Sequence, residues 1–157
     1  MSTNLIYLSS PYTAPTKGEM EKNYQIALSA TAMLIKAGVM VYSPIVHNHA
    51  IAHIVGGTDW DSWKEHDLTT LWHCDALFIL AMPGWERSVG MMAELRFAVQ
   101  TDKPYWPVYF IDDYVGIWHN RVSCIANETN VVKILADWTK NKIAKHPVFQ
   151  VKGPKDA

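Results

Sequence analysis

Apolar residues follow the chain in two alternating patterns, short continuous runs and longer stripes with helical spacing. The short runs predict four β-strands, at residues 4–8, 39–43, 75–82 and 104–110. The stripes predict helices at about residues 18–37, 87–100 and 128–142. Thr58 is the expected N-cap of a further helix that reaches His73, and residues 45–57 are predicted as a histidine-bearing connection.

Strands that alternate with helices indicate a parallel sheet with helices on both faces. We therefore predict an α/β fold, a flavodoxin-like (Rossmann-like) three-layer sandwich with a four- or five-stranded parallel sheet. Pro104 and Pro107 place the fourth strand at an edge or delay its start, because proline cannot donate a ladder hydrogen bond. Residues 1–145 are predicted as one domain and residues 146–157 as a C-terminal tail.

Composition narrows the classes of protein to consider. The chain has 157 residues, of which 49% are apolar and 18% charged, as expected for one globular domain. A formal charge of -1 does not indicate the excess of basic residues with which proteins bind nucleic acid polymers or anionic membranes. Two cysteines indicate no disulfide framework, and the N-terminus does not resemble a signal peptide, so a cytoplasmic location is expected.

A glutamate stands out on the third helix. Gly90 and Ala98 lie four residues to either side of Glu94, so the carboxylate shares an apolar, inward-looking helical face. Glutamates are rarely buried without a partner, and desolvation raises their pKa. The helix follows the carboxyl end of a strand, where open α/β sheets bind ligands. The pattern indicates a functional site, although an ion pair of Glu94 with Arg87 or Arg96 inside the core is the structural alternative.

Asp67 is the second inward carboxylate, with Trp63 and Leu71 four residues to either side. Two carboxylates that face one cleft are what cleavage of a glycosidic bond needs. Ser88 and Gly90 at the helix start could admit an anion to the backbone, while Ser88 could equally be a simple N-cap.

The histidines raise the question of a metal site, since five of them lie close together in sequence: His47, His49, His53, His66 and His73. The stretch lacks the glutamate of the metalloprotease motif, and no CxxC accompanies it, so no metal is predicted. P-loop, GxGxxG and GxSxG motifs are absent from the sequence, and no cofactor is predicted. His47 is expected to face the cleft.

Taken together, Tyr7, Asp67, Asp75 and the segment Ser88-x-Gly90-x-x-x-Glu94 resemble the nucleoside 2-deoxyribosyltransferase-like superfamily. The resemblance covers roughly residues 4–110 and is strongest to the 2'-deoxynucleoside 5'-phosphate N-hydrolase type. It implies a flavodoxin-like sheet and assembly into homo-oligomers, dimers or larger.

The resemblance also implies roles for individual residues. Glu94 would be the nucleophile that attacks C1' of the sugar, Asp67 would protonate or position the leaving base, and Tyr7 would hold Glu94. Transferases of free nucleosides carry an acid six residues before the glutamate, whereas the monophosphate hydrolases carry a serine, here Ser88. A serine hydroxyl at a helix N-terminus donates to a phosphate, which an aspartate would repel.

The expected function is therefore hydrolysis of the N-glycosidic bond of a small nucleotide, a (deoxy)nucleoside 5'-monophosphate. Residues expected to hold the base are Tyr12, His47 and a tryptophan, Trp63 or Trp60. Residues expected to hold the phosphate are Ser88, the Gly90 backbone and a serine of the first loop, Ser9 or Ser10. Transfer of the sugar to another base, and binding of a nucleotide derivative without turnover, remain alternatives.

Overall fold

The computed structural model describes residues 4–36, 38–80, 82, 85–111, 114–119 and 122–125. Its elements in chain order are β1 (Leu5–Ser9), α1 (Lys17–Lys36), β2 (Met40–Tyr42), α2 (Pro44–Val55), α3 (Trp60–His73), β3 (Ala76–Leu80), a short 3-10 helix (Trp85–Arg87), α4 (Val89–Gln100), β4 (Tyr105–Ile111), β5 (Tyr114–His119) and β6 (Val122–Ile125).

The strands form one sheet in the order β2-β1-β3-β4-β5-β6. The first four are parallel, and β5 and β6 continue the sheet antiparallel. Asp75 sits at the junction of β1 and β3, where its carboxylate accepts a hydrogen bond from the backbone N–H of Leu5 at 2.7 Å. The predicted α/β Rossmann-like sandwich with a four-stranded parallel sheet is confirmed, with the antiparallel pair as an addition.

Helices cover both faces of the sheet because alternate strand residues point to opposite faces. On one face, Ile6 and Leu8 of β1 pack with Phe78 of β3 and Leu34 of α1. On the other face, a second cluster combines strand residues with residues of α3 and α4: Tyr7, Leu77, Ile79, Leu71, Met91 and Ala98. Strand β3 is buried along its whole length, which explains its uninterrupted apolar sequence.

The predicted histidine-bearing connection at 45–57 was wrong, since most of it is helix α2. Both ends of this helix are capped. Ser43 accepts a hydrogen bond from the backbone of the first turn, and Pro44 occupies the first helical turn. Gly56 closes the helix in the left-handed conformation, with φ 95°, and donates its N–H to the carbonyl of Ala52 at 2.8 Å. These two caps indicate a helix more strongly than the weak apolar spacing of the residues between them.

Two further expectations need correction. Helix α3 is capped by Asp59, whose carboxylate accepts from the backbone of Ser62 at 3.0 Å, and not by Thr58. Of the two alternatives for β4, the edge position is wrong, because the strand lies between β3 and β5. The delayed start is confirmed, because the strand begins at Tyr105, after Pro104. It tolerates Pro107 because the ladder to β5 begins only at Val108, so the missing N–H is not needed on that side.

The helix predicted at 128–142 and the tail at 146–157 lie outside the described residues, so the domain boundary stays a prediction. Strands β5 and β6 had no counterpart in the sequence-based prediction. In the part of the chain that the structure describes, no helix is long and apolar enough to cross a membrane.

Replacement of Gly56 and of Gly18 by alanine should change the free energy of unfolding in opposite directions. A β-carbon at either position would meet no atom within 4 Å, so only the backbone differs. Gly56 has a positive φ, and we expect Gly56→Ala to lower the free energy of unfolding by about 1 kcal/mol. Gly18 lies in the first turn of α1, so Gly18→Ala should raise the free energy of unfolding by about 0.5 kcal/mol. Urea unfolding measures both, and equal changes would contradict the capping role of Gly56.

Candidate active site

Glu94 is buried against the sheet, with 4% of its surface exposed. Helix α4 directs Met91, Glu94 and Ala98 inward, as the helical spacing predicted. The carboxylate accepts a hydrogen bond from the Tyr7 hydroxyl at 2.6 Å on Oε1 and one from the Ser9 hydroxyl on Oε2. Tyr7 and Ser9 are two residues apart on β1 and therefore share one face of the sheet.

Glu94 thus has neutral partners in place of the arginine that the structural alternative required. Neither Arg87 nor Arg96 pairs with it within the described residues. Burial raises the pKa of Glu94 to about 7, against the hydroxyl hydrogen bonds that lower it, and the charge of Asp67 raises it further. A carboxylate that ionises near neutrality in a desolvated position is a typical feature of a functional site.

Asp67 is buried on α3, with 5% of its surface exposed. Its Oδ1 accepts a hydrogen bond from the Asn48 side-chain amide at 3.2 Å and lies 3.1 Å from Nδ1 of His66. Burial raises the pKa of Asp67, while its contacts with His66 and Asn48 lower it. Asp67 and Glu94 are therefore two desolvated carboxylates, contributed by neighbouring helices.

Both carboxylates line one cavity of about 480 Å³, a volume within the usual range for a small-molecule site. Seven of the predicted site residues line it: Ser10, Tyr12, Trp63, Asp67, Ser88, Gly90 and Glu94. Trp60, the alternative to Trp63, also lines it. Tyr7 and Ser9 reach the site indirectly, through Glu94.

His47, which was expected to face the cleft, does not line the cavity. It is exposed on α2 and packs on the rings of Tyr42 and His66, at centroid distances of 5.7 and 6.1 Å. Its neighbour Asn48 lines the cavity instead. Sequence reasoning missed Asn48 because it treated this segment as a loop, in which the inward face of α2 could not be identified.

Ser88 combines the two roles considered for it. Its hydroxyl oxygen accepts from the backbone N–H of Met91 at 3.4 Å, which makes it the N-cap of α4, and the residue also lines the cavity. A hydroxyl that accepts from the backbone can still donate its own proton to a ligand.

Gly90 makes room for an aromatic ring. A β-carbon at this position would lie 3.1 Å from Cε3 of Trp60, so the indole packs where any other residue would place a side chain. Trp60 therefore occupies the space next to Gly90 through which an anion was expected to reach the backbone of α4. The aromatic wall of the cavity therefore reaches the start of α4.

The first loop contributes one unsatisfied donor and one fixed ring. Ser10 is buried, with 6% of its surface exposed, and its hydroxyl has no hydrogen-bond partner among the described residues. Tyr12 is held through its hydroxyl by Nδ1 of His49 at 2.9 Å, and His49 in turn stacks on Tyr24 and faces Glu21. A buried hydroxyl that lines a cavity without a partner is suited to donate to a ligand.

Charge around the cavity is mixed. Arg87 lines it next to Ser88, while the exposed Asp59 and Asp61 line it from the start of α3. Among the residues that the structure describes, no group of three or more His, Cys, Asp or Glu could hold a metal ion.

A protein-family model described as a domain of unknown function, DUF1937, matches residues 4–110. The chain belongs to the DUF1937 family. No curated protein matches it. Every residue placed at the site above, from Tyr7 to Glu94, lies inside the span that defines this family.

Ionisation of Glu94 should destabilise the protein. In the unfolded chain the carboxyl ionises near its ordinary pKa of 4.5, whereas in the folded chain it stays protonated up to about 7. The free energy of unfolding therefore falls as the pH rises from about 4.5 to about 7. We expect Glu94→Gln to be more stable than wild type above pH 7 by up to about 3 kcal/mol.

The difference in the free energy of unfolding should close below pH 4.5, where the carboxyl is mostly protonated in both the folded and the unfolded chain. Urea unfolding of both proteins across this range measures it. Glu65→Gln, at an exposed position of α3, is the matched control and should follow wild type at every pH. A constant difference between Glu94→Gln and wild type would contradict the raised pKa.

Proposed function

We propose that the chain is an N-glycosidase that hydrolyses the N-glycosidic bond of a (deoxy)nucleoside 5'-monophosphate, with Glu94 as the nucleophile. The single observation that carries the proposal is the arrangement of Glu94 and Asp67, two buried carboxylates on separate helices that line one cavity. An enzyme of this kind needs one carboxylate at the anomeric carbon and a second group at the leaving base.

In the first step, an oxygen of the Glu94 carboxylate bonds to C1' as the bond between C1' and the base nitrogen breaks. The bond electrons leave with the base, which Asp67 protonates or holds. Tyr7 and Ser9 donate to the two carboxylate oxygens and thus keep them in place. In the second step, water attacks C1' as the bond between C1' and the Glu94 oxygen breaks, and the bond electrons return to the Glu94 carboxylate. The proton of the water passes to the Asp67 carboxylate, or to the base where Asp67 has not protonated it, and the sugar phosphate is released.

The aromatic side chains of the cavity are suited to a flat base. Trp63 donates its indole N–H to the carbonyl of Gly57 at 2.8 Å, which fixes the plane of its ring. Tyr12 and Trp60 line the same cavity. Stacking on fixed rings holds any of the bases, so this feature supports a nucleotide substrate without selecting among bases.

The polar side chains favour a single phosphate group. Ser88 and Ser10 can donate hydrogen bonds, and Arg87 adds a positive charge at the start of α4. Asp59 and Asp61 line the same cavity, so each additional phosphate on the ligand would add repulsion. A monophosphate therefore suits the site better than a di- or triphosphate. The homo-oligomer implied by the resemblance stays a prediction.

Release of free base from a panel of nucleoside 5'-monophosphates tests the proposal. We expect wild type to release base from at least one of them and Glu94→Gln to be slower by about three orders of magnitude, because an amide does not attack C1'. Chromatography of the products measures both rates, with Glu65→Gln as a control at an exposed glutamate. Equal release by wild type and Glu94→Gln would remove Glu94 as the nucleophile.

Two further measurements separate the alternative functions. A new nucleoside that forms when an acceptor base is added indicates transfer of the sugar. Tight binding of an intact nucleotide in calorimetry, with no product after long incubation, indicates a binding protein and overturns the hydrolase.

Ser88→Asp should change the preference between phosphorylated and free nucleosides. Aspartate preserves the N-cap of α4, so the fold is kept, but its charge repels a 5'-phosphate. We expect the ratio of kcat/KM for the monophosphate to that for the nucleoside to fall by about 100-fold. Ser88→Asn, which also caps but is neutral, should retain most of the monophosphate activity. An unchanged ratio in Ser88→Asp would place the phosphate elsewhere.

A further inference from the structure

The two contacts of Asp67 converge on one of its oxygens. Asn48 of α2 donates to Oδ1 at 3.2 Å, and Nδ1 of His66, on α3, lies 3.1 Å from the same atom. No described residue forms a hydrogen bond to Oδ2, although Asp67 lines the cavity. The two oxygens of this carboxyl group are therefore not equivalent.

This asymmetry decides which oxygen can hold a proton. The contact with His66 lowers the pKa of Asp67, which corresponds to the tautomer with the proton on Nδ1, so His66 is assigned as a donor. With that tautomer, a protonated Oδ1 would lose the ability to accept fully from both neighbours, whereas a protonated Oδ2 leaves Oδ1 as a carbonyl oxygen that accepts from both. The acid form of Asp67 therefore has its O–H on Oδ2. The proton is then available to a group bound in the cavity.

Both neighbours are themselves held in place. Asn48 is buried, and its side-chain oxygen lies 2.9 Å from Nδ1 of His47, so its amide N–H₂ points to Asp67. His66 stacks on His47 at a centroid distance of 6.1 Å and meets Trp63 edge-on at 5.7 Å. Neither partner is free to turn away from Asp67 without breaking a second contact.

We propose that Asn48 and His66 are positioning residues that lock Asp67 through Oδ1, so that Oδ2 is the oxygen that gives its proton to the departing base. The proton passes from Oδ2 to the base nitrogen as the bond to C1' breaks, and Asp67 is left as a carboxylate with both hydrogen bonds on Oδ1. This role of Asp67 as a proton donor rests on the proposed function. The locked geometry of the carboxyl group does not.

Two matched variants remove one contact each with little change in shape. Asn48→Leu replaces the amide by an isosteric apolar group, and His66→Phe keeps a ring for the stacking while removing the nitrogen. His66→Asn is the conservative variant, since its amide nitrogen can take the place of Nδ1. The side chain of His66 is 47% exposed, so variants there should fold even if Asn48→Leu does not.

The first readout compares two leaving groups. With a nucleoside 5'-monophosphate, we expect each single variant to lower kcat about fivefold and the double variant to lower it by more than the product, because either contact alone still locks Oδ1. With a nitrophenyl glycoside of the same sugar phosphate, whose leaving group needs no proton, the losses should stay within about twofold. His66→Asn should restore most of the rate. Equal losses for both leaving groups would reduce the two residues to structural support and overturn the proposal.

The second readout is independent of activity. Titratable groups that interact with Asp67 come from five elements: Tyr7 on β1, Tyr42 on β2, His47 on α2, His66 on α3 and Glu94 on α4. Carbon-13 NMR of the Asp67 carboxyl in the full chain follows its titration against this background. Loss of a donor should move the titration midpoint upward, because the donors stabilise the ionised form.

The two readouts separate failure of the proposal from failure of the proposed function. If wild type releases no base, the N-glycosidase is ruled out. An upward shift of the Asp67 titration midpoint in His66→Phe still supports the claim that Asp67 is held through Oδ1. A midpoint unchanged in both single variants overturns the lock, whether or not base is released.

Discussion

The burial of one carboxylate under two hydroxyl groups is the constraint on which the rest of this structure depends. Glu94 ends in a position with little access to water, and its two oxygens accept from Tyr7 and Ser9. Those donors belong to β1, which pairs with β2 on one side and β3 on the other. The central parallel sheet therefore sets the position of the carboxylate, and α4 has to pack with Glu94 facing that strand.

Burial of the two carboxylates opposes the stability of the fold at this site. Desolvation raises the pKa of Glu94 to about 7, so the folded protein is less stable when this carboxylate is ionised. Asp67 carries the same cost in part, because burial also raises its pKa. The apolar clusters on both faces of the sheet provide the compensating stability, and the proposed chemistry would account for a local cost of this kind.

Much of the site could be predicted from spacing alone. Glu94 and Asp67 each lie four residues from inward-facing neighbours, and residues at this spacing share one face of a helix. Asn48 could not be found in this way, because its contribution depends on recognising α2 from its caps, Ser43 and Gly56. His47, just beyond Pro44, is the more conspicuous titratable residue of this segment, so a prediction from local pattern selects it instead. Adjacent residues on a helix point in different directions, and only one of the two can face the cavity.

The sequence by itself determined the alternation of strands and helices, the parallel core of the sheet and the inward faces of α3 and α4, because these follow from periodicities of two and about 3.6 residues. Only the tertiary structure decided which groups meet. The hydroxyls of β1 reach Glu94 across 85 and 87 residues, and Asn48 reaches Asp67 across 19. Contacts of this kind depend on strand order and helix packing, which no local pattern encodes.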